Sequence, residues 1–285
     1  MSLSSVMQLL LPTVIPLIAG YAVARWVGLS TKPVETLLRW VLFPALLFVV
    51  LRGRMPFQTF LLVSVTGAVM TLVGLALVGS AHRFLKPSVD RAAGTLNIAC
   101  FSVPFFALSW ASNGLGTGCA LFVGMALTMH MIEKRNDRTA IFREPWIYAV
   151  LAALLFHEGR FASGTLNRWL EPFAMAAYPV LLLFLGAVLQ PQLSLRDANA
   201  WATVGVRMVS GLGVGLLAVA LLPFSSAVAQ GVIITSLAPP ATQAMTLSGG
   251  GTDSASARAA ATLGTIVTLI AIALILLTGW TPWRN

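Results

Sequence analysis

Charge is the scarcest property of this sequence. Asp, Glu, Lys and Arg together make up 9% of its 285 residues, against roughly 25% in an ordinary soluble domain. Apolar types reach 58%, with a mean hydropathy of +0.87. That balance excludes a water-soluble fold and reads as an all-α integral membrane protein. Cysteine is nearly absent too. Cys100 and Cys119 both lie in apolar stretches without CxxC spacing, so they read as buried thiols and not as a disulfide or a metal pair. His82, His130 and His157 are the only histidines, and neither HExxH nor GxSxG occurs. The chain therefore offers no metalloprotease or serine hydrolase signature. Asp90, Glu133, Glu144, Glu158, Glu171, Asp197 and Asp253 fall at span ends or in loops, and Glu35 opens a span. A proton antiporter built on buried carboxylates lacks its carboxylates.

What is present is a succession of apolar runs. They predict ten spans, at about 6–27, 33–51, 57–80, 91–111, 117–133, 145–157, 168–189, 200–222, 226–247 and 257–280. The net charge of +9 belongs to the short loops between them. One side of the membrane receives Arg25, Lys32, Arg83, Lys86, Arg91, Lys134, Arg135, Arg138, Arg143, Arg196 and Arg258; the other receives Arg52, Arg54, Arg160, Arg168 and Arg284. Arg39 and Arg207 lie inside spans, near ends on the richer side, and are expected to snorkel to it. The positive-inside rule then places the loop at 134–144 in the cytoplasm and both termini in the periplasm, which makes the expected location the inner membrane. The amino terminus has no basic residue ahead of its apolar run, so it reads as a first span and not as a signal peptide.

The prolines carry an internal repeat. Pro44 in the second span and Pro179 in the seventh are separated by 135 positions, and so are Pro104 in the fourth and Pro239 in the ninth. Repeats of five spans must insert upside down relative to each other. The expected organisation is thus residues 1–133 as one five-helix repeat and 145–285 as its inverted copy. Proline inside a helix removes an amide donor and clashes with the carbonyl four residues back, at about 3 kcal/mol. Pro104 is expected to free the carbonyl of Cys100, and Pro239-Pro240 those of Thr235 and Ser236. Broken backbone at membrane depth is tolerated where it is buried in protein or lines a wet cavity. Polar side chains gather at both breaks: Asn97 and Ser102 around Pro104, and Thr235, Ser236, Thr242 and Gln243 around Pro239-Pro240. These residues form the candidate substrate site, in which helix termini hold an anion and loose carbonyls a cation.

Those segments resemble a known family. Leu11-Pro12, Gly20-Tyr21 and Arg25, then Val41-Leu-Phe-Pro-Ala-Leu-Leu-Phe48, Asn97 to Pro104, and Tyr178-Pro179 to Gly186 and Leu189 are similar to the auxin efflux carrier family, within the bile acid, arsenite and riboflavin transporter superfamily. The fourth-span segment Asn97-Ile-Ala-Cys-Phe-Ser-Val-Pro104 keeps the family's Asn and Pro but replaces both its glycines. The resemblance implies crossed, broken helices four and nine. It also implies a scaffold of spans 1, 2, 6 and 7, a bundle of spans 3–5 and 8–10 that moves in an elevator-like cycle, and a homodimer through the scaffold. Its implied substrates are small organic anions, auxin-like or dicarboxylate. The residues leave coupling open between sodium and the membrane potential. Two other readings remain: a sodium-coupled symporter of a bile-acid-type substrate, and a transporter-like sensor that binds without transporting.

Overall fold

The computed structural model describes residues 3–28, 31–84, 114–133, 138–156, 163–189, 197–238 and 255–278, and within these every regular element is helical. The helices are α1 (Leu3–Trp26), α2 (Thr31–Leu37), α3 (Phe43–Arg54), α4 (Phe57–Phe84), α5 (Gly114–Glu133), α6 (Pro145–Leu155), α7 (Ser163–Val188), α8 (Ala198–Leu221), α9 (Ser226–Ser236) and α10 (Ala255–Thr278). A π-helical turn, Leu38–Leu42, joins α2 to α3, and a 3-10 turn, Arg138–Arg143, precedes α6. The helix start at α8 has a visible cause. The Asp197 carboxylate accepts from the amides of Asn199 and Ala200 at 3.0 and 3.2 Å, supplying the acceptors that a first turn lacks. The π turn lies immediately ahead of Phe43-Pro44, where the proline withdraws a donor from the ladder and the Phe43 amide reaches back to Leu38.

Five described helical segments are long and apolar enough to cross a membrane: Thr31–Arg52, Phe57–Leu77, Leu115–Ile132, Arg168–Val188 and Ala198–Leu221. Their outward faces stay apolar, as at Val209 (75% exposed), Leu221 (71%) and Met175 (69%). Such a surface suits lipid and not water. The chain is a helical membrane protein by these criteria. Expected and observed ends agree closely where both exist, for example 57–80 against Phe57–Phe84 and 200–222 against Ala198–Leu221. The fourth expected span, 91–111, lies outside the described residues, as does the ninth beyond residue 238.

Several neighbouring helix pairs run in the same direction. Gly20 of α1 meets the Leu183 carbonyl of α7, and Gly186 of α7 meets the Leu17 carbonyl of α1, so each glycine admits the other backbone at one crossing point. Thr13 and Tyr178 share a 2.9 Å hydrogen bond two turns earlier on both helices, which fixes the parallel sense. The second pair is α2–α3 with α6. Arg39 pairs with Glu144 at 2.6 Å ahead of α6, and Arg52 donates to the Phe156 carbonyl at 3.3 Å beyond its end. In the third, Gly67 of α4 faces Leu121 of α5, and Gly124 faces Ser64, whose hydroxyl donates to the Ala120 carbonyl at 3.0 Å. Gly116 near the start of α5 faces Met55 just ahead of α4, so these two are parallel as well. The fourth pair joins the first halves of α8 and α10 through Ala200, Val204, Ala259, Ala260 and Leu263.

These pairs assemble into two groups. Helices α1, α2–α3, α6 and α7 pack mainly on one another, and so do α4, α5, α8, α9 and α10. Leu47, Leu181 and Leu185 are fully buried in the first group and Leu121, Val232 and Ile233 in the second.

Candidate functional site

The described part of the candidate site lies where α9 stops. This helix is 11 residues long, or ~16 Å at 1.5 Å per residue, half of a bilayer core of ~30 Å. It is surrounded on all sides: residues 228–238 are all buried. Gly231 faces Thr117 of α5, Ser236 faces Gly211 and Gly215 of α8, and the Leu237 carbonyl accepts from Thr268 of α10 at 2.7 Å. Thr268 and Gly211 both lie near the middle of their own helices. The helix therefore ends inside the bundle, and Pro239 follows.

A buried helix end needs partners for its last carbonyls. The sequence reading leaves those of Thr235 and Ser236 free; the structure corrects it for Thr235. The Ala238 amide bonds to the Thr235 carbonyl at 3.0 Å, one residue short of the proline that lacks a donor. The final turn tightens to i→i+3 and absorbs the loss. Leu237 completes this closure by donating to Ile233 and Ile234, each at 3.2 Å. Thr268 then serves the Leu237 carbonyl. The Ser236 carbonyl points at Gly211, the place where the Arg207 guanidinium also arrives.

Of the candidate site residues, Thr235 and Ser236 are described, exposed by 1% each. The Thr235 hydroxyl donates to the Gly231 carbonyl and the Ser236 hydroxyl to the Ile233 carbonyl, both at 2.7 Å. Their protons are thus committed to their own helix, as is common for hydroxyls in membrane helices. Asn97, Ser102, Pro104, Pro239, Pro240, Thr242 and Gln243 lie outside the described residues.

Arg207 is the residue that sequence reasoning misplaced. Instead of snorkelling, it is 7% exposed, and it is the one charged side chain that is buried among the described residues. Its Nη1 lies over Gly211, one turn further into α8 and away from the near end of the helix. Its Nε has no hydrogen-bond partner. Gly211 makes this possible, because a Cβ there would collide with both the guanidinium and the Ser236 carbonyl. The only advance signal was an arginine standing inside an apolar span. Arg39, by contrast, sits at a surface end, 43% exposed and paired with Glu144, as snorkelling requires. No protein-family model matches the chain, and no curated protein does.

Proposed function

We propose that the chain is a secondary transporter carrying a small organic anion across the inner membrane, assembled as two inverted five-helix repeats with both termini periplasmic. The observation that carries this reading is the termination of α9 at Ser236, inside the bundle and directly ahead of Pro239-Pro240. A helix that ends at mid-depth exposes its terminus to an interior site instead of to either surface.

The pairing of helices supports the repeat. Inversion exchanges spans 1 and 6, 2 and 7, 3 and 8, and 5 and 10. It thereby maps the α1/α7 pair onto α6/α2–α3, and the α4/α5 pair onto α8/α10; all four pairs are present and parallel. Two parallel helices also need a return crossing between them. Residues 85–113 separate α4 from α5, a length sufficient for one. The division into two helix groups matches the scaffold and moving bundle of an elevator-like carrier.

Anion is favoured over sodium at this break. The carbonyls of Thr235 and Leu237 already accept hydrogen bonds, and a guanidinium stands beside that of Ser236. A cation placed there would meet a like charge across a low-dielectric interior. The test is uptake into proteoliposomes of radiolabelled benzoate, indole-3-acetate, malonate and malate, under an imposed membrane potential with and without sodium. Uptake of at least one above protein-free vesicles is expected. No uptake of any contradicts the proposal.

A further inference from the structure

We propose that Arg207 is the residue that receives the carboxylate of the transported anion, an assignment that rests on the transport reading above. Burying a charged side chain away from water costs several kcal/mol unless something pairs with it. Arg207 is more than nine-tenths buried. No carboxylate among the described residues pairs with it: Glu144 is engaged with Arg39, and Asp197 caps the start of α8. Its Nε is left without any acceptor. A guanidinium with no carboxylate partner among the described residues and a bare Nε is an unfilled receptor, with donors arranged in a planar fork that matches a carboxylate's two oxygens.

Its direction and surroundings point the same way. A side chain on a helix ordinarily leans toward the amino-terminal turn. The Arg207 head lies instead toward Gly211, deeper into the bundle and against the end of α9. Thr203, Arg207, Gly211 and Gly215 follow one another at four-residue intervals, so the guanidinium and the two glycines share one stripe of α8. That stripe faces Ser236. The guanidinium consequently stands at the break in α9 where the substrate is proposed to bind, and supplies the one buried formal charge there among the described residues.

A different role is available to the same geometry. A cation beside the last carbonyls of α9 would stabilise that helix end without touching any solute. The two roles separate in the Michaelis constant. The experiment measures proteoliposome uptake by wild type, Arg207→Gln and Arg207→Lys, using whichever of benzoate, indole-3-acetate, malonate and malate the wild type carries, with competition by the uncharged amide of that acid. Arg207→Gln is expected to raise KM at least tenfold while its melting temperature in detergent, without solute, stays at or above that of wild type. It is also expected to narrow the preference for acid over amide. Arg207→Lys, which keeps the charge but loses the fork, is expected to give an intermediate KM and is the deciding variant if Arg207→Gln does not fold. Wild-type KM in Arg207→Gln, or in Arg207→Lys where that variant decides, overturns the assignment and leaves the transport reading standing. So does an unchanged KM accompanied by a lower melting temperature, which is the signature of the helix-end role. A wild type that carries none of the four acids overturns both.

Discussion

Gly215 of α8 lies so close to Ser236 of α9 that a Cβ on the glycine would sit 2.6 Å from both the Cβ and the Oγ of the serine. The contact holds the end of α9 against its neighbour, and Ser236 has little freedom to retreat because its hydroxyl is bonded to Ile233. Gly215→Ala is therefore expected to destabilise the protein by about 1–3 kcal/mol, the usual range for overpacking. Thermal unfolding in detergent checks it. A melting temperature equal to wild type would show that the two helices do not touch at this point.

The crossing of α1 and α7 makes a stronger prediction. At Gly20 and Gly186 the obstacle to a side chain is backbone, the carbonyls of Leu183 and Leu17. Backbone cannot rotate aside, so Gly186→Leu requires the helices to separate and is expected to abolish recovery of monodisperse protein in size-exclusion chromatography. Gly213→Leu is the control. Nothing lies within 4 Å of a Cβ there, and wild-type recovery is expected.

Thr268→Val removes the donor to the Leu237 carbonyl while preserving shape. A buried carbonyl left without its partner costs about 1–3 kcal/mol in general, and membrane hydrogen bonds average about 0.6 kcal/mol. A loss near 1 kcal/mol is expected in urea or thermal titration. Thr278→Val, at an exposed position where the hydroxyl serves its own helix, is expected to change little.

The Arg39–Glu144 pair has a surface character, with side chains 43% and 14% exposed. Glu144→Gln is expected to cost no more than about 1 kcal/mol. The difference from wild type should shrink as salt rises from low to physiological concentration, because exposed pairs are screened. A salt-independent loss would contradict that picture.

The elements were legible where a single local signal decides them. The apolar run from Phe57, bounded by Arg54 and Arg83, yields a helix because lipid leaves its backbone no other partner. Proline at 239 and 240 likewise marks a helix stop, and α9 ends at Ser236. Gly20 and Gly186 stood out only as parts of familiar segments; that each touches the other's helix is a fact about packing between positions 166 residues apart, which no local pattern encodes. Arg207 was misread for the same reason. Its distance from the end of α8 allowed snorkelling, but whether the side chain reaches water depends on α9 lying against that stripe. The carbonyl of Thr235 was misread on a smaller scale, because the α-helical bond lost to Pro239 was replaced by a tighter one from Ala238.

The proposed function requires that the end of α9 meet the fourth expected span at the substrate site. It is tested most directly by cross-linking Val103→Cys to Ala238→Cys with a short bifunctional maleimide in membranes, in a chain whose own thiols are removed by Cys100→Ala and Cys119→Ala. An efficient intramolecular cross-link is expected, impeded by the transported anion. Failure to cross-link, in a variant that still folds and is labelled at both cysteines, would contradict it.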